Sequence, residues 1–158
     1  MARTVFPGRY TAQLDTPVVL FVIGMRVNNV FDVRRWFFVA RQMGPMLRTL
    51  LQHRDKGLLH FETFVSHRGV MMLQYWQSFA QLERFARSPD DPHLASWRNF
   101  NRIVGTHPSA GIWHETYLVP PGSFEGVYGN MPAWGMAAAT AHVPVGAGRE
   151  AANERLRA

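Results

Sequence analysis

The first sustained apolar run, PVVLFVIGMRVNN at 17–29, is β-branched, aromatic and nearly continuous, the pattern of a buried strand. After Asn28-Asn29 the period changes. From Asp32, a residue type suited to an N-cap, Val33, Trp36, Phe37, Ala40, Met43 and Leu47 recur at helical spacing through VRRWFFVARQMGPMLRTLLQ. Gly44-Pro45 is expected to kink or break that helix near its middle. Gly57 closes it. LLHFETFVS (58–66) and VMMLQYW (70–76) then form a hairpin around the turn His67-Arg68-Gly69. Ser78 caps a second helix, FAQLERFARS, which Pro89 and Pro92 interrupt before HLASWRNFNRIVG (93–105) continues it. GIWHETYLV (111–119) is a fourth strand, stopped by Pro120-Pro121-Gly122. Beyond it SFEGVYGNMPAW reads as loop, AAATAHVPV as short helix or coil, and GAGREAANERLRA (146–158) as a peripheral or disordered tail.

The order βαββαβ is that of an α+β, ferredoxin-like unit, with four antiparallel strands and both helices on one face. Residues 1–16 are an N-terminal arm, 17–145 the domain with its C-terminal capping loop, and 146–158 the tail. Such a sheet leaves its second face bare, and a large apolar patch would face solvent. Pairing two sheets face to face covers it, so a homodimer is expected.

Alternation along each strand sorts side chains between the two faces. In the first strand Val19, Phe21, Ile23, Met25 and Val27 face the helices, leaving Val18, Leu20, Val22, Gly24, Arg26 and Asn28 opposite. The same sorting puts His60, Glu62 and Phe64, then Met72, Gln74 and Trp76, on the open face. A one-residue slip would invert everything after it. That face therefore collects Arg26, Asn28, His60, Glu62, Gln74 and Trp76 among apolar neighbours, the composition of a ligand cavity. In the last strand His114 and Glu115 must point to opposite sides. Burying a carboxylate under helices costs more than burying a neutral imidazole. Glu115, with Trp113 and Tyr117, is thus expected in the cavity, where Arg26 can pair with it. Tyr128 and Asn130, in the glycine-bearing loop after that strand, are candidates to cap its mouth.

Composition narrows the chemistry. At 158 residues one domain is expected. With no cysteine there is no disulfide, thiolate metal site or cysteine nucleophile. The net charge of +6 is carried by arginines scattered along the chain, which gives no nucleic-acid interface. No apolar run approaches the ~20 residues of a membrane helix, so no membrane partner and a cytoplasmic location are expected. No HxH, HExxH, GxSxG, Walker or GxGxxG pattern occurs, and no non-haem metal site is expected.

PGRYTA (7–12), LFVIGMRVN (20–28), LQYWQSFAQLERFAR (73–87), HLASWRNFN (93–101), GIWHETY (111–117) and VYGNMP (127–132) resemble a family of small bacterial and fungal proteins in the dimeric α/β-barrel group. Its fungal members include a monooxygenase of terpenoid-derived natural-product biosynthesis. The resemblance implies a small monooxygenase-like enzyme, with no cofactor and O₂ as co-substrate, acting on a hydrophobic terpenoid or polyketide-like metabolite in the inter-sheet cavity. Arg26, Asn28 and Glu115 are then the candidate catalytic residues, and Trp76, Gln74, Glu62, Trp113, Tyr117, Tyr128 and Asn130 bind substrate. The wider group also implies haem as an alternative cofactor, with His93, beside Asp90-Asp91-Pro92, or His114 as ligand. A non-catalytic dimer binding a small ligand in the same cavity is a further alternative.

Overall fold

The computed structural model describes residues 3–157. Pro7-Gly8 does not keep the N-terminal arm irregular. Residues of the arm form β1 (Phe6–Gln13), and a register shift between Phe6 and Arg9 absorbs the Pro-Gly step as a bulge. The sheet expected from the alternation follows, built from β2 (Val18–Val27), β3 (Leu58–Ser66), β4 (Gly69–Trp76) and β5 (Ala110–Val119) in the antiparallel order β3-β4-β2-β5. Its helix layer comprises α1 (Val33–Gln52), α2 (Phe79–Arg87) and α3 (Pro92–Ile103).

Helix ends follow the sequence in part. Ser78 Oγ accepts from the backbone N–H of Gln81, capping α2. Gly57 takes a left-handed φ of 93° after the 3₁₀ turn that follows α1. Asp32 precedes α1, but its carboxylate turns to Arg35 and Ser109 instead of capping the helix. The expected break at Gly44-Pro45 does not occur, and α1 runs through it. Both residues are on the exposed side, where water can meet the carbonyl that proline leaves without a donor.

The segment read as loop, then as short helix or coil, is ordered and includes a short helix. It supplies β6 (Tyr128–Met131), α4 (Met136–Ala139) and β7 (Ala141–Pro144), and the second sheet has the order β6-β1-β7. The tail expected to be disordered or peripheral carries α5 (Ala152–Arg157), fixed by an Arg155–Glu125 ion pair.

Two cores flank the main sheet. On the helix side Val19, Leu58 and Trp76 pack with Met46, Leu50, Leu82 and Phe85. On the other side Val18 and Tyr75 pack with Leu14 and Met136, so β1 and α4 cover one end of the face expected to be bare. The chain thus shields part of its own open face.

The hairpin turn sets which side chains share a face. Ser66 pairs with Gly69, so the turn is two residues long, not the three read from His67-Arg68-Gly69. The missing residue flips β4 relative to β3. Phe61 faces Gln74 across the pair, and Gln74 and Trp76 lie on the helix side, while Leu73 and Tyr75 take the open face.

Candidate active site

The flipped β4 takes Gln74 and Trp76 out of the expected cavity and helps to build another. Met72 now faces the helices and, with Met25 of β2 and Met43 and Met46 of α1, walls a cavity of about 150 Å³ between sheet and helix layer. His93, Ser96, Trp97 and Phe100 of α3 close its other side. Methionine suits such a wall, because its unbranched thioether adapts to ligand shape.

His93 is the one titratable side chain lining this cavity among the described residues. Its place follows from local sequence. Pro92 occupies the first turn of α3, Asp91 stands at the N-cap, and Asp91 is buried in an ion pair with Lys56 at 2.8 Å. The His93 Nδ1 lies 2.9 Å from the Ala86 carbonyl, the last turn of α2. A carbonyl can only accept, so Nδ1 carries the hydrogen and Nε2 of the neutral ring keeps its lone pair. Ser96, three residues on, shares the same helix face, and Gln42 adds an amide from α1. The i,i+3 spacing of His93 and Ser96 was the available sequence signal for this wall. The methionines gave none, since a Met at helical spacing also reads as plain core.

The expected site residues are dispersed. Glu115, Trp113 and Tyr117 pair with Val22, Gly24 and Leu20 and stand together on the open face, with the Tyr117 hydroxyl donating to Glu115. That hydrogen bond to a carboxylate, with the carboxylate's charge, pushes the Tyr117 phenol up. Arg26 does not meet Glu115. It is opposite Gly111, four residues away along β5, or about 13 Å at ~3.3 Å per residue. Arg26 instead borders an exposed groove with Phe64, Arg68 and Trp113. Asn28 Nδ2 donates to the Pro108 carbonyl and pins a loop.

Gln74 and Trp76 are buried partners, with Trp76 Nε1 donating to Gln74 Oε1 at 3.1 Å, and neither reaches the open face. Glu62 is on that face but committed, at 2.6 Å from Arg3 and 2.7 Å from His60, with the Arg3 guanidinium over the Trp134 ring. Tyr128 and Asn130, expected at the cavity mouth, are engaged in structural hydrogen bonds. The Tyr128 hydroxyl accepts from the Ala137 N–H, and Asn130 Oδ1 accepts from the Gly8 N–H, so both tie β6 to its surroundings. His114 lies over Phe21 with ring centroids 5.4 Å apart, is exposed, and does not line the cavity with His93.

Among the described residues no group of three or more His, Asp or Glu is placed to hold a metal ion. Haem fits poorly at His93. The clamped Nδ1–H suits an axial ligand, but about 150 Å³ is below even the ~300–1,000 Å³ of drug-sized ligand sites. No helix among the described residues is long and apolar enough to cross a membrane.

Residues 18–136 match the model of a family described as monooxygenase af470-like. No relative was found among curated proteins. Solved structures with a similar fold include SnoaB, a cofactor-independent oxygenase from Streptomyces nogalater, at 13% identity and a TM-score of 0.41, covering 63% of this chain and 90% of that one. An aldoxime dehydratase (OxdRE) in complex with butyraldoxime has 15% identity and a TM-score of 0.49, covering 84% of this chain and 41% of that one. A dimeric ferredoxin-like protein of unknown function from Jannaschia sp. has 12% identity and a TM-score of 0.43, covering 62% and 97%. At such scores none of the three bears on the chemistry.

Proposed function

Because this chain belongs to the monooxygenase af470-like family, we propose that it oxidises a hydrophobic small molecule with O₂ in the cavity between α1, α3 and the sheet. The observation that carries this reading is the pairing of methionine-rich walls with a single titratable group, His93, whose tautomer is set by Ala86. An apolar wall desolvates the substrate, and a lone imidazole Nε2 can remove one proton from it. The substrate is then a ring compound, polyketide- or terpenoid-like, with an acidic C–H.

Proton loss to Nε2 leaves a carbanion that reduces O₂ directly. For an activated CH₂ the balance closes without a cofactor: CH₂ and O₂ become C=O and H₂O, with all four electrons supplied by the substrate. Ser96 and Gln42 are the polar, uncharged side chains on the cavity wall, and so the candidates to steady the developing oxyanion. The cavity takes about one ring, since an apolar void of ~150 Å³ accommodates benzene, so a larger substrate extends through the mouth beside Trp97. Two copies paired on the uncovered end of the open face, where Phe64, Trp113 and Tyr117 are 39–48% exposed, would complete the expected dimer.

The proton step is testable without oxygen. Anthrone, under nitrogen in D₂O, should exchange its ring CH₂ protons faster with the protein than in buffer, as followed by NMR. His93→Gln should return the rate to that of buffer while still binding anthrone. Undiminished exchange in that variant would remove His93 as the base.

A further inference from the structure

The connection between β2 and α1 inverts the usual arrangement of a surface loop. Its polar groups are satisfied locally. Asn28 Nδ2 donates to the Pro108 carbonyl, Asn29 Oδ1 accepts from the Phe31 N–H at 3.0 Å, and the Val30 carbonyl accepts from Trp36 Nε1 at 3.2 Å. Asp32 is engaged by Arg35 and Ser109. The apolar side chains are what the loop offers to solvent, with Phe31 91% and Val30 49% exposed. The first turns of α1 extend the display through Val33 at 53% and Phe37 at 56%. Trp97 of α3 is exposed as well, and Phe100 of α3 and its C-cap Val104 pack with Val39 of α1, which sets α3 beside α1.

Charge on α1 and α3 has one sign. Arg34, Arg41, Arg98 and Arg102 are exposed. Residues 33–54 and 92–114 contain no Asp or Glu, and the nearby Asp32 is already paired. We propose that this end of the helix layer docks on an anionic lipid surface, with Phe31, Val30, Val33 and Phe37 entering the acyl boundary and the arginines meeting the headgroups. Nucleic acid would match the charge, but it has no use for two protruding valines, whereas acyl chains accept them. The absence of a spanning segment is no obstacle, because a docked face needs none.

Trp97 belongs both to this face and to the cavity wall. A hydrophobic substrate could therefore pass from the bilayer into the cavity without crossing water. That consequence rests on the proposed function; the docking itself does not.

Co-sedimentation of the full chain with phosphatidylcholine vesicles, with and without phosphatidylglycerol, tests the surface. Binding should require phosphatidylglycerol and weaken with salt. Phe31→Ser should reduce it about tenfold or more, and Arg34→Gln or Arg41→Gln roughly fivefold each. Far-UV circular dichroism should show each variant folded, since these side chains are exposed. Equal binding to neutral vesicles, no binding, or binding indifferent to Phe31→Ser would overturn the proposal, the last as plain electrostatic adhesion. So would a Phe31→Ser variant that instead changed the oligomeric state on size exclusion, which would make the patch a contact with a second copy.

Discussion

Trp76→Phe, Gln74→Leu and the double variant together test the inverted face of β4. Trp76 is 1% and Gln74 4% exposed, the indole packs on Phe85 with ring centroids 5.8 Å apart, and Nε1 donates to Gln74 Oε1. Trp76→Phe removes that donor and strands a buried amide oxygen, which costs about 1–3 kcal/mol. The smaller ring leaves a void that adds on the order of 1 kcal/mol. Gln74→Leu strands the Nε1–H instead, at a similar ~1–3 kcal/mol. The double variant leaves no orphan, so both penalties drop out and its cost should be about 2 kcal/mol or more below the sum of the singles. At ~2–4 °C per kcal/mol for a chain of this size, Gln74→Leu should lower Tm by about 2–12 °C and Trp76→Phe by about 4–16 °C. Urea melts followed by far-UV circular dichroism give the free energies, provided the m-value holds. Additive costs, or singles within ~0.5 kcal/mol of wild type as for exposed positions, would refute burial of the pair on the helix side.

Tyr75, pushed up to about 12 chiefly by burial, should keep its proton after the unfolded chain has lost it at 10.0. Its contribution to stability is complete below pH 10 and is lost between pH 10 and about 12, so Tyr75→Phe should flatten the stability–pH profile in that window. Asp32 is held below its usual 3.8 by the Ser109 hydroxyl first and Arg35 second, so its contribution is present above pH 3.8 and lost as the pH falls. Ser109→Ala should raise the Asp32 pKa, read from its carboxyl ¹³C shift; an unchanged value would discard the Ser109 bond. If the proposed dimer forms on the open face, Trp113→Glu should leave the chain folded but monomeric on size exclusion, and a variant still dimeric would place the interface elsewhere.

The main sheet and its helices were legible because apolar runs and helical spacing are local signals. The face of β4 was not, because one turn residue decides it. His67-Arg68-Gly69 reads equally well as a two- or a three-residue turn, and the difference moved Gln74 and Trp76 to the helix side while bringing Met72 to the cavity. The β6-β1-β7 sheet was hidden for another reason. β6 and β7 are four residues each, too short to show a period, and they are held by pairing with a strand more than a hundred residues away. Glu115 and His114 stand on opposite faces of β5, as alternation requires, but both are exposed, so desolvation does not decide between them. Arg26 misses Glu115 because antiparallel register, which no local pattern encodes, sets their separation.

Oxygen uptake with anthrone, wild type against His93→Gln, is the decisive measurement. Wild type should consume one O₂ per anthrone converted to anthraquinone, well above the rate without protein, with ¹⁸O from labelled O₂ in the new carbonyl, and the variant should fall to the protein-free rate. A variant as fast as a wild type that exceeds that background would contradict the role of His93, and a wild type no faster than buffer would contradict the proposed chemistry.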